Sequence, residues 1–208
     1  MTRFRRLAVV TIVATFALIA VGGLVRATDS GLGCPDWPRC FGRLVPPAEL
    51  HAWIEHSHRL VAAVVMALVA LLVVAAWRTR QPPAARRAAV AALALVLAQA
   101  VLGAFVVWWK LEAESVTLHL AVALALVALL IYIDFRARWP AGRSPAAAGQ
   151  DRRFARLVVA GAGLTYLQML VGSTVTGYHA GLAYPLSVLV PDLGPSVARV
   201  QLAHRALA

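Results

Sequence analysis

Glu55, His58 and His119 are the residues of this sequence best placed to do chemistry. They are ionisable groups at the ends of long apolar runs, where such groups are costly and are kept for function. Glu55 and His58, within "WIEHSHR" at residues 53–59, are three apart and so share one face of a helix. His119 opens a second apolar run. Two imidazoles at matched depth on two helices are an axial ligand set for a haem iron, and a carboxyl group beside them is a candidate proton acceptor. The structural alternative for Glu55 is a carboxylate favoured by the dipole at a helix N-terminus. His56 lies about 100° further round the helix and is expected to face headgroups or loop. His51 is expected before the helix, with no partner of this kind. A zinc site would want a third or fourth ligand, and apart from Glu55 none is evident.

The elements that must position these residues are membrane helices. The chain has 208 residues, 61% of them hydrophobic, and a mean hydropathy of +0.76. That composition belongs to integral membrane proteins. Five runs are long enough to span a bilayer, roughly 7–25, 57–77, 88–108, 116–135 and 155–177, and a sixth begins near Val197. The first run resembles a secretory signal, but it is longer than a signal's apolar core and has no small-x-small cleavage site, so it is expected to stay as a helix.

The net charge of +11 does not point to nucleic acid, because the arginines are not spread as a binding surface. They gather at Arg3, Arg5 and Arg6, at residues 78–87, and at residues 136–156. These are alternate connections. By the positive-inside rule they are cytoplasmic, which predicts a multi-pass plasma-membrane protein with its N-terminus inside and residues 27–54, 109–114 and 178–196 outside.

Cys34 and Cys40 then lie on the outer face, where thiols are oxidised, so a disulfide is expected between them. Closing so short a loop is worth about 2 kcal/mol on the chain-entropy model, and Pro35 and Pro38 stiffen it further. A structural staple is favoured over a redox role, because the spacing is not C-x-x-C.

Short connections make sequential helices antiparallel neighbours, so the first four runs predict an up-down four-helix bundle. The second and fourth helices are then diagonal. With neighbours 8–10 Å apart, the diagonal is roughly 13 Å, a span that suits a haem held between His58 and His119. Arg26 and Arg59 are candidate propionate partners through charge-assisted hydrogen bonds, with interfacial snorkelling the alternative for Arg26. Trp37, Trp53, Trp108 and Trp109 fall where an aromatic belt is expected and are given no chemistry. His179 reads as a loop residue.

An internal repeat runs through the chain. "VGGLVRATDSGLGCP" at 21–35 matches "VGSTVTGYHAGLAYP" at 171–185 at a constant offset, with Val21/Val171, Gly22/Gly172, Val25/Val175, Gly31/Gly181, Leu32/Leu182 and Pro35/Pro185 identical. "IEHSHR" at 54–59 is echoed by "VQLAHR" at 200–205, with Gln201 where Glu55 stands. A four-helix unit is duplicated and the second copy is only begun. The domains expected are 1–140, a linker at 141–153, and 154–208. "QAVLG" and "QMLVG" share Gln-x-x-x-Gly, a feature that by itself says packing.

"GGLVRATDSGLGCPDWP", the nearby second cysteine, "WIEHSHR" and the histidine opening the fourth helix together resemble the haem A synthases, from about Val21 to the chain's end. The resemblance implies an eight-helix enzyme of two related halves that oxidises a ring methyl of haem O to a formyl group for terminal oxidases. Glu55 would be catalytic, His58 and His119 would hold the substrate haem, and Cys34 and Cys40 would be the family's outer-loop pair. A haem b cofactor would sit in the second half, with His204 matching one of its two ligands; the sequence stops before the other, so the chain reads as truncated. The partners implied are haem O and the synthase supplying it, membrane lipids, an electron acceptor of undefined kind and further copies of the chain. Two other classes fit part of the pattern. A thiol-quinone oxidoreductase would use Cys34 and Cys40, and a non-catalytic haem-carrying cytochrome would leave Glu55 idle.

Overall fold

The computed structural model describes residues 1–139, 152–178 and 196–207. These residues form six helices, α1 (Arg3–Ala27), α2 (Leu50–Arg78), α3 (Pro83–Trp108), α4 (Ala113–Arg138), α5 (Arg152–Gly177) and α6 (Ser196–Leu207), with no strand among them. The first five are each long and apolar enough to cross a membrane, so the chain is an all-α multi-pass membrane protein.

Each spanning helix runs past the apolar run that announces it. The Thr2 side chain caps α1 by accepting from the Arg5 N–H at 3.3 Å, which brings Arg3, Arg5 and Arg6 into the helix. Pro83 stands at the first position of α3, where its missing N–H costs nothing. Arg78 ends α2, and Arg136 and Arg138 end α4, where cations suit the negative end of the dipole. The polar ends are helical because backbone bonding continues beyond the apolar segment.

Helices α1 to α4 close a ring: α1 packs on α2, α2 on α3, α3 on α4 and α4 on α1, with no packing between α2 and α4 or between α1 and α3. The expected diagonal is therefore present. Helix α5 packs on the outside of α4, and α6 packs on α5.

The ring is solid at one end and hollow at the other. The solid end holds Phe4 and Ala8 of α1, Val69 and Leu72 of α2, Ala89 of α3 and Leu130 of α4, all buried. Antiparallel order brings these segments to one level. Two bonds from the Arg5 guanidinium to the Asp134 carboxylate, at 3.0 and 3.4 Å, tie α1 to α4 there. Much of the outer surface is apolar and exposed, with Val13, Phe16, Val64 and Leu71 at half exposure or more, as a lipid-facing surface should be. The boundary expected at 141–153 falls mostly outside the described residues, as does His179.

Candidate functional site

The hollow end encloses a cavity of 690 Å³, within the range of small-molecule and cofactor sites. Its walls come from all four helices of the ring and from α5, with Trp37 and Pro38 of the cysteine loop above it. His58 and His119 both line it, one from each of the diagonal helices.

Close backbone approach holds both rings. A Cβ on Gly22 of α1 would meet His58 Cε1 at 3.1 Å, and one on Gly103 of α3 would meet His119 Cε1 at 3.4 Å. Nδ1 of each histidine is buried without a hydrogen-bond partner among the described residues. Gly22→Ala therefore pushes the His58 ring toward the cavity. Haemin titration of the purified variant should show roughly a tenfold weaker site, as supporting-shell changes at metal ligands do, with the helical content unchanged.

The second half repeats this arrangement. A Cβ on Gly172 would meet His204 Cε1 at 3.0 Å, Nδ1 at 3.5 Å and Nε2 at 3.8 Å, against 3.1, 3.5 and 3.8 Å for Gly22 and His58. The sequence repeat is thus a structural one, α5–α6 matching α1–α2. His204 is the one histidine among the described residues of the second half.

Glu55 is buried, only 4% exposed, and both its oxygens are engaged. Oε2 accepts from the Cys34 N–H at 2.8 Å, and Oε1 pairs with the Arg59 guanidinium. Arg59 also donates to the carbonyls of Asp36 at 2.8 Å, Arg39 at 2.7 Å and Cys34 at 3.3 Å. Its terminal nitrogens are spent on the loop and on Glu55, while the side chain still lines the cavity. Arg26 lines the cavity as well and donates to the Thr176 carbonyl of α5 at 3.1 Å.

The loop is a closed plug. Cys34 and Cys40 form the expected disulfide, with Cα atoms 4.7 Å apart, and Cys40 exchanges backbone bonds with Arg43 at 2.9 and 3.1 Å. The Asp36 carboxylate accepts from the N–H groups of Phe41 and Gly42. The Gly42 N–H foremost, then that of Phe41 and the Arg59 charge, hold the Asp36 carboxyl below its ordinary value of 3.8. This contribution is therefore present above that value and lost only as pH falls through the depressed one. Gly33 presses on the backbone of α2, where a Cβ would meet the Ala52 nitrogen at 2.8 Å, so no larger residue fits between the loop and the helix.

Two histidines depart from the sequence expectation. His56 lines the cavity rather than facing headgroups or loop; its Nδ1 is buried without a partner, and its ring meets Trp53 edge-on at 6.0 Å. The cavity is wide enough to take in the neighbouring face of α2. His51 lies inside α2, since the helix starts at Leu50, and its Nδ1 is 2.9 Å from the Ser30 hydroxyl. Trp37 is part of the cavity wall and packs edge-on against Trp108 at 6.5 Å. Among the described residues no three His, Cys, Asp or Glu side chains gather as a metal-ion cluster.

Sequence reasoning gave Gln99 and Gln168 packing roles only, whereas each donates from its side-chain amide to the backbone of a histidine. Gln99 Nε2 reaches the His119 carbonyl at 2.8 Å, and Gln168 Nε2 reaches the His204 carbonyl at 3.1 Å. The shared Gln-x-x-x-Gly was the available signal.

Comparison with known proteins extends these observations. The family model described as "Cytochrome oxidase assembly protein" (COX15-CtaA) matches residues 5–208. A protein named "Heme A synthase" from Shouchella clausii is 33% identical over 98% of this chain and 71% of its own length. Its namesake from Geobacillus thermodenitrificans is 34% identical over 67% of this chain and 44% of its own length. Another from Shewanella oneidensis is 29% identical over 84% of this chain and 57% of its own length. The chain thus spans part of each relative, less than two thirds of the last two.

Proposed function

From the premise that this chain belongs to the cytochrome oxidase assembly protein family (COX15-CtaA), we propose that it acts as a haem A synthase, taking haem O as substrate and oxidising a ring methyl to a formyl group. One observation carries the reading. Two histidines from diagonal helices line one cavity, each with its ring against a glycine of a neighbouring helix. Two imidazoles facing one cavity from diagonal helices are a donor set that fits a haem iron.

In this reading His58 and His119 hold the substrate iron and so fix which ring edge faces Glu55. Each Glu55 oxygen already accepts one bond and keeps capacity for another, so the group can take a proton released at the substrate while staying anchored. The loop above limits water. Arg26 at the rim, and His56 on the wall, supply donors to the substrate's carboxylates. A haem b cofactor, when bound, would supply one-electron transfer toward an external acceptor, and His204 is the residue of this chain that would hold it. The arginine distribution supports an N-terminus in the cytoplasm and a cysteine loop on the outer face of the plasma membrane, by the positive-inside rule. The sequence repeat supports reading the chain as two units, 1–140 and 154–208.

The cysteines are assigned a staple's role, because the loop is also held by Glu55, Asp36 and Arg59. Cys34→Ser with Cys40→Ser should lower stability by about 2 kcal/mol and leave bound haem in place. Full loss of turnover with haem retained would instead make the cysteines electron carriers.

The function is tested in a host that makes haem O and lacks its own haem A synthase. Expression of the chain should produce haem A or its hydroxylated precursor in the membranes. Unchanged haem O, with the chain present and haem-loaded, would refute the reading.

A further inference from the structure

The chain carries the same device on three successive helix pairs. In α1–α2, Gly22 backs His58; in α3–α4, Gly103 backs His119; in α5–α6, Gly172 backs His204. In each pair the glycine is on the first helix and the histidine on the second. Four residues before the glycine, on the same helical face, stand Leu18, Gln99 and Gln168 in turn. The two glutamines make the same bond, from the side-chain amide to the carbonyl of the histidine itself, at 2.8 and 3.1 Å. Leu18 has no donor.

We infer that Gln99 and Gln168 are positioning residues for His119 and His204, each setting the height and rotation of the helix turn that carries a haem ligand. The inference rests on the haem reading of His119 above. A backbone carbonyl has two lone pairs, so it can accept an amide N–H besides its helix bond. The contact is part-buried, so the bond is stronger than it would be in water and ties the two helices together. A general packing role does not explain it. Both glutamines leave Oε1 buried without a partner among the described residues, a cost that leucine avoids at the equivalent place in α1. That cost is kept twice, on both occasions beside a histidine whose ring rests on the glycine one turn along.

The device also shows a smaller repeat inside the larger one. The helix pair is the repeating element, α3–α4 resembling α5–α6 in the Gln, Gly and His positions together, and α1–α2 in the last two. His58 is thus the ligand without an amide tether, on the helix that also carries Glu55.

The experiment uses the full chain with His204→Ala, so that added ferric haemin is bound by the first unit. Haemin affinity and the low-spin electron paramagnetic resonance spectrum are measured for this background and with Gln99→Met, Gln99→Asn, Gln168→Met or His119→Ala added. Methionine keeps the volume and loses the donor; asparagine keeps the amide but falls short, and it decides the matter if the methionine variant does not insert. Loss of one neutral hydrogen bond should weaken haemin about fivefold and shift the largest g-value, at unchanged helicity. Gln168→Met should do neither. Background values in both Gln99 variants, or weaker binding with an unshifted spectrum, would overturn the inference. His119→Ala separates the two levels: if it leaves haemin binding intact, the haem reading itself fails.

Discussion

Alanine at His58 or at His119 should strip haem from the first four-helix unit, with affinity falling by more than about a hundredfold, since changes to groups that merely support a ligand already cost 10–100-fold. The size of the effect follows from the geometry. The cavity is 690 Å³ and mostly apolar, so burial favours entry of a porphyrin, while the two imidazoles would hold its iron. Removing one would leave the iron with a single imidazole from this pair and a hole the size of a histidine in the cavity wall. Optical titration with haemin reads this directly, as loss of the low-spin spectrum in each single variant. Retention of that spectrum in His119→Ala would mean that α4 contributes no ligand.

Arg59→Ala should be the most damaging change outside the histidines. Glu55 and Arg59 form an ion pair whose side chains are 5% and 14% exposed, and breaking a pair this buried by removing one partner costs about 3–5 kcal/mol. The loss does not stop at the pair. The carbonyls of Cys34, Asp36 and Arg39 lose their donor together, and these are the backbone groups that seat the loop over the cavity. Melting in detergent should fall steeply, and protease should cut within residues 34–43 faster than in the unaltered chain. Arg59→Lys keeps the charge but not the planar fork, so it should recover the ion pair and only part of the loop's protection. An Arg59→Ala protein that melts like the wild type would show that the loop is held by the disulfide and Asp36 instead.

Much of this site is legible in the sequence because membrane burial makes polar residues conspicuous. Glu55, His58 and His119 stand out against apolar runs, and up-down topology alone places α2 and α4 on a diagonal, as found. The loop's chemistry is legible in type but not in detail. Nothing in "CPDWPRC" says that Arg59, about two and a half turns into the next helix, will gather three of the loop's carbonyls, because such bonds depend on where the loop lands. Arg59 reads as a propionate partner from its charge and place, while the fold gives it backbone partners. His56 is missed for a related reason: a helical-wheel argument assumes a narrow buried stripe, and a helix bordering a cavity exposes a wider arc to it. Gln99 and Gln168 are missed because their partners are backbone atoms, which leave no mark on side-chain patterns. Residues 179–195 fall outside the described residues, and with them most of the second outer segment expected at 178–196.

The central claim is that the first unit holds haem O between His58 and His119. It is tested most directly by extracting and identifying the pigment from full-length His204→Ala protein purified from a haem O-producing host. The account predicts haem O, or its oxidised products, in this variant, and none when His58 is also replaced by alanine. Haem-free His204→Ala protein with intact helices, or pigment that survives loss of both His58 and His119, would contradict it.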